Sequence, residues 1–445
     1  MFSFKMKKGR AIRLLSLVLS SVMLLCAVSA CSPTAKSEVD TPVLECRGSA
    51  IPLSFYELLL SRMKGSLAAS RYDVSSDEFW STKVEGSDLT YEEYFQSAVL
   101  ESCKQYLCAL AIFEDEGLTL PESIVAEIDE EIEYYISLGY IGGGDVEKFN
   151  ALISAYGVDS ESLKDAYETE AKYSYLLEYL YGSNAELVAS NVKEEFYREN
   201  YYRFKQILLS NFYYKYELDE YGNEIYFDTE TRERLYDTEA GSCRYDESGN
   251  RLKDPDGNSI MFDEEGNVLY DKVNGQRSVL LDEQGEAMQF FYTESEIAER
   301  AELAEQINAA LVAGDFELFE ARMSEINVSW GGEESYPDGY YLSDIESSFY
   351  NEYMIDMLDA LKGMEIGESA LIESEYGYHI IMRYEPDEGK YADGLYAEWF
   401  ESFSSALISE LFEVKCQSAY ANIRLDTENL ERARSIKQIG TNTDY

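Results

Sequence analysis

The single histidine of this 445-residue chain, His379, stands in the run Gly377-Tyr378-His379-Ile380-Ile381. The run alternates as a half-buried strand does, with Tyr376 and Tyr378 beside the imidazole. An imidazole can donate, accept or shuttle a proton near neutral pH. One histidine excludes a His-rich metal site and repeated histidine-based catalysis. The other reactive groups are seven cysteines. Cys103 and Cys108 lie five apart in a helical pattern and point to different sides, which argues against a mutual disulfide or a shared metal. Cys46, Cys243 and Cys416 complete a set expected to be buried or idle thiols. Asp254-Pro255-Asp256-Gly257-Asn258 has the outline of a calcium loop, but an EF-hand needs glycine at the sixth place, where Ser259 stands. It reads as a plain turn, and the expectation is no metal and no cofactor.

The chain carries 37 basic and 86 acidic side chains, a formal net charge of -49. A phosphate backbone is repelled by such a surface, so nucleic acid is not an expected partner. At 45% hydrophobic and 14% aromatic residues the chain is globular rather than disordered, with two or three domains. Lys5, Lys7, Lys8, Arg10 and Arg13 precede an apolar run from Leu14 to Val28, the pattern of an export signal. Val28-Ser29-Ala30-Cys31 resembles the bacterial lipobox, in which cleavage precedes the cysteine and its sulfur is lipidated. The alternative is an ordinary signal peptide with a coincidental cysteine. Lipidation implies an extracytoplasmic protein held at Cys31 on the outer face of the bacterial cell membrane.

The rest divides by composition and period. Residues 31–48 read as a polar tether, and 49–200 as a helical lobe. Within the lobe, Ser54-Phe55-Tyr56-Glu57 and Thr90-Tyr91-Glu92-Glu93 have the form of capping boxes. Pro121 opens a helix marked by Ile124, Ile128, Ile132 and Ile136. Phe204 to Leu209 is an apolar strand candidate. Between 213 and 290, Gly-centred turns such as Tyr221-Gly222-Asn223 and Glu265-Gly266-Asn267 alternate with short apolar pieces, which predicts a β-hairpin insert. Helical period returns at the box Thr293-Glu294-Ser295-Glu296. Strands follow around Tyr340, Ala370 and His379, and Leu395, Trp399, Phe403, Leu407 and Leu411 mark a long tail helix. The expected fold is α+β.

Residues 204–209 and 293–385 resemble a parvulin-type peptidyl-prolyl isomerase domain. The resemblance is carried by Phe204-Lys205-Gln206-Ile207-Leu208-Leu209, Gly314-Asp315-Phe316-Glu317, Gly363-Met364-Glu365-Ile366-Gly367-Glu368 and Glu375-Tyr376-Gly377-Tyr378-His379-Ile380-Ile381. The flanking helices, notably 156–164 and 192–200, look like the chaperone lobe of SurA-like and PrsA-type extracytoplasmic foldases. What this implies is a SurA-like helical lobe and a parvulin-like domain of small antiparallel sheet and helices, spanning 201–212 and 291–386. The 213–290 insert interrupts that domain, and the 387–445 tail returns to the lobe. In that family a pair of histidines and a nearby Cys or Asp surround the twisting amide. His379 matches one histidine, Gln206 stands where the other would be, and the Cys/Asp position falls near Ile326. Tyr341, Phe349, Met354 and Leu358 are the proline-pocket candidates, with core packing as the other reading of each.

Two functions are open at this stage. One is a foldase for unfolded or newly exported polypeptides with weak X-Pro isomerase activity, and the other a non-enzymatic holdase or surface-binding lipoprotein with a degenerate isomerase domain, in which His379 is a core residue. Both place the protein at the membrane. Labelled lipid precursor is therefore expected on Cys31, and Cys31→Ala should release the protein; equal membrane retention of an unlabelled variant contradicts the anchor.

Overall fold

The structure is a computed structural model that describes residues 41–445 except 85, 140–141, 229–230, 283 and 327–335. The export signal and Cys31 lie outside the described residues. No helix among the described residues is long and apolar enough to cross a membrane. The fold is mixed helix and antiparallel sheet, in two compact units.

The first unit gathers residues up to Tyr201, Leu342–Tyr350 and Pro386–Tyr445. Helix Tyr91–Asp115 runs through it, opened by the expected capping box: Thr90 accepts from the Glu93 N–H and Glu93 accepts from the Thr90 N–H. Its buried stripe, Phe95, Val99, Cys103, Leu107 and Ile112, repeats at helical spacing and packs with Phe55, Leu163, Phe412 and Cys416. Helices Glu122–Ser137 and Ser160–Tyr181 complete the lobe, with Ile128 and Ile132 turned inward. The tail returns here: helix Phe403–Tyr420 buries Phe403, Leu407 and Phe412. It begins later than its sequence period suggests. Gly394–Trp399 is a 3₁₀ turn, and Leu395 is exposed.

Two expectations for this unit need correcting. Pro42–Cys46 is a strand rather than tether, paired with Ser49–Pro52 and with Arg424–Leu425. Val43, Leu44, Cys46 and Ile51 are buried, so this apolar hairpin belongs to the core. Ser54 does not cap a helix either. The helix spans Leu53–Ala69 with Pro52 at its N-cap, and Glu57 instead turns inward to Arg434. Glu57 Oε1 accepts from the Arg434 backbone N–H at 2.7 Å, and Oε2 accepts from Nη2 at 2.7 Å and Nε at 3.1 Å.

The second unit comprises Tyr202–Tyr341 and Asn351–Glu385. Its sheet has four strands in the order Tyr340–Leu342, Tyr202–Ser210, Gly377–Tyr384, Ser369–Ser374. Strand alternation gives it two faces. Ile207, Leu209, Ile380 and Met382 pack on helices Glu294–Ala310 and Phe316–Ile326 through Ala304, Ile307, Phe319 and Met323. Thr293 and Glu296 form the expected box at the first of these helices. Helix Glu352–Gly363 packs against strands Tyr202–Ser210 and Ser369–Ser374. The segment Leu342–Tyr350, expected in this domain, groups with the first unit. There Glu346 is buried, with Oε1 accepting from the Tyr201 hydroxyl and the Ser402 N–H, each at 2.9 Å.

The insert is a nested set of short ladders. Phe212–Tyr214 pairs with Gln289–Phe291, Tyr226–Phe227 with Gln276–Arg277, and Ser242–Cys243 with Met261–Phe262. It has its own core of Ile225, Tyr236, Ile260, Met261, Phe262, Val268 and Tyr270. Each Gly-Asn turn is organised by an aspartate three residues before the glycine. At Asp254, for example, Oδ1 accepts from the N–H groups of Asp256 and Asn258, Oδ2 from the Tyr236 hydroxyl, and Gly257 closes the turn at φ +93°. Asp219, Asp246, Asp263 and Asp282 repeat the arrangement. The carboxylate with the outline of a calcium ligand is thus spent on its own turn.

Candidate functional site

Three strands bring the polar groups to one face of the sheet. His379 stands opposite Leu208 in the ladder with Tyr202–Ser210, and Ile381 opposite Gln206. On its other side His379 faces Ile372, while Gly377 faces Ser374. Residues two apart on a strand share a face, so Gln206 and Ser374 are both diagonal neighbours of His379. Gln206 Oε1 lies 3.1 Å from Nδ1, and Ser374 Oγ lies 2.7 Å from Nε2. The Tyr376 N–H donates to Ser374 Oγ at 3.0 Å, and the hydroxyl proton is free to turn toward the imidazole. With a carbonyl oxygen facing Nδ1 and a hydroxyl donor facing Nε2, the ring is neutral and carries its proton on Nδ1.

Burial enforces that state. His379 is 3% exposed, and desolvation pushes its pKa down to about 4. The Tyr353 ring lies on the imidazole face, 5.3 Å between centroids and 11° between planes. Gly377 permits the strand to start where it does: its φ is +134°, and a Cβ there would stand 2.3 Å from the Leu209 carbonyl oxygen. Two further motif glycines meet as well, the Gly314 N–H donating to the Gly367 carbonyl at 3.0 Å.

The structure therefore brings Gln206 and His379 together. Tyr341 and Leu358 are fully buried and Met354 is half-buried, all within the second unit. Phe349 groups with the first unit, in the 3₁₀ turn Ser347–Phe349, and is 68% exposed. Ile326 packs in the cluster on the opposite sheet face, with Phe319 and Met323. Two residues of the site were missed, Ser374 and Tyr353. Each left a faint signal. Ser374 lies across a tight turn from the His379 strand, and Tyr353 shares a helical stripe with the buried Met357 and Leu361.

Cys46, Cys103, Cys108 and Cys416 are buried free thiols, and Cys243 is a half-buried one in the insert.

No family model matches the chain, and no curated protein matches it. Among solved structures the chain is similar to PrsA from Bacillus subtilis, at 14% identity over 81% of this chain and 94% of that one, with a TM-score of 0.17. It is also similar to foldase protein PrsA from Streptococcus pneumoniae str. Canada MDR_19A, at 10% identity over 79% and 96%, again with a TM-score of 0.17.

The neutral imidazole has a consequence for stability. In the unfolded chain it titrates near 6.5, in the folded chain near 4. Between those values the unfolded chain holds a proton that the folded chain excludes, so stability falls as pH drops through that window and is unaffected by this group above it. The loss is about 3 kcal/mol in all, at ~1.4 kcal/mol per pH unit. Denaturant unfolding between pH 7 and pH 4 should therefore show the wild type losing about that much more than His379→Gln. Parallel curves would mean that the folded imidazole charges as readily as the unfolded one.

Proposed function

We propose that the chain is a membrane-anchored extracytoplasmic foldase. Its helical unit holds unfolded exported polypeptides, and its second unit is a parvulin-type peptidyl-prolyl isomerase domain of weak activity. The observation that carries the reading is the buried His379 held between Gln206 Oε1 and Ser374 Oγ on one face of a four-stranded sheet.

Rotation about an X-Pro bond needs no covalent step. The barrier of about 20 kcal/mol comes from amide resonance, and a twisted amide has lost the charge separation that resonance gives. A neutral, apolar surrounding therefore favours the twisted form over the planar one. Gln206 and Ser374 fix the ring and its tautomer, and Tyr353 covers one face. Gln206 can hold the imidazole by a hydrogen bond but cannot exchange protons as a second imidazole can, which is the reason to expect a low rate.

A second reading is favoured by one observation, the 3% exposure of His379. A ring so enclosed also suits a holdase whose isomerase fold is retained as scaffold. The experiment is a pair of assays on the purified chain, aggregation of an unfolded client and a proline-limited refolding step. Aggregation should be suppressed clearly and refolding accelerated weakly, with the acceleration lost in His379→Ala and raised in Gln206→His. Rapid isomerisation that collapses in His379→Ala, with no effect on aggregation, would overturn the ranking and make catalysis the primary activity.

A further inference from the structure

His379 is the inner end of a row of rings. Tyr353 lies on its face, and Tyr376 meets Tyr353 nearly edge-on at 5.3 Å and 69°. Phe212 meets Tyr376 at 6.5 Å and 63°, and Phe291 lies 6.0 Å from Phe212. The last two are directly paired residues at the root of the insert. The row thus joins the imidazole to a segment that lies outside the motifs of the isomerase domain.

It also emerges into solvent. Tyr353 and Tyr376 are half-buried, and Phe291 is 68% exposed. Phe291 thus forgoes most of the burial its ring could gain. Tyr213, one residue after Phe212, is a further exposed ring at the same root. The rim carries a carboxylate: Glu375 is exposed and raises the pKa of the Tyr376 phenol. A half-buried ring beside the Glu375 carboxylate, on a chain of net charge -49, complements a segment that is both aromatic and cationic.

We propose that Tyr376 and Phe291 are the outer wall of the client site, and that this wall takes an aromatic side chain of a cationic, extended client segment whose proline lies at His379. This rests on the isomerase reading and extends it by assigning flanking-residue specificity to the insert root. Tyr376 is two ring steps of 5.3 Å from the imidazole. About three extended residues span that distance, so the aromatic residue lies within roughly three positions of the proline.

The single histidine makes the test direct. The full chain, isotope-labelled only at His379, is titrated with Lys-Phe-Ala-Pro-Ala-Phe-Lys and with Lys-Ala-Ala-Pro-Ala-Ala-Lys while the imidazole resonances are followed. The phenylalanine peptide should shift them at a concentration about tenfold lower, equivalent to about 1.4 kcal/mol of added ring contact. Phe291→Ser and Tyr376→Leu should each cut that preference about threefold or more, with the free Phe291→Ser resonances unchanged because that ring is exposed. Equal response to the two peptides, no response to either, or full preference in both variants overturns the wall. A preserved preference-and-loss pattern with no acceleration of isomerisation of the phenylalanine peptide supports the wall and overturns the isomerase reading alone.

Discussion

An imidazole removed from water must have both nitrogens satisfied, and in this chain that requirement fixes the register of three strands. Gln206 and Ser374 reach Nδ1 and Nε2 only because each stands diagonally across a ladder from His379. A one-residue slip in either ladder would send one partner to the opposite face, among Ile207, Leu209 and Ile380, and leave a buried polar atom unpaired at a cost of about 1–3 kcal/mol. The same register places the apolar alternate residues on the helices below. Polar specification above and apolar burial below therefore select one pairing.

The first unit meets a similar requirement with charges. Glu57 is 5% exposed, and three donors of Arg434 neutralise it. Two turns further along that helix, Lys64 is buried with Nζ donating to the Lys437 and Ile439 carbonyls, each at 2.8 Å. Buried charges without such partners are strongly destabilising. The C-terminal segment is accordingly a structural member of the lobe, held by the helix that follows the first strands.

Local signals were legible where their cause is local. The Thr90–Glu93 and Thr293–Glu296 boxes, the glycine turns of the insert and the strand-helix order of the second unit all depend on residues within a few positions of one another. The adjacency of Gln206 and His379 came from family resemblance, since 173 residues separate them. What escaped is set by distant partners. Pro42–Cys46 is a strand because Ser49–Pro52 and Arg424–Leu425 flank it. Glu57 has a capping pattern but a stronger partner in Arg434, far along the chain. Phe349 has the composition of a pocket residue, yet the burial of Glu346 draws its segment into the other unit.

The hydrogen-bonded site depends on a neutral imidazole with its proton on Nδ1, and nitrogen NMR of the single histidine reads both properties at once. The predicted result is one neutral Nδ1–H form through the physiological range, with protonation only as pH approaches about 4. A midpoint near the ordinary 6.5, or a proton on Nε2 at neutral pH, contradicts the hydrogen-bonded arrangement on which the proposed site is built.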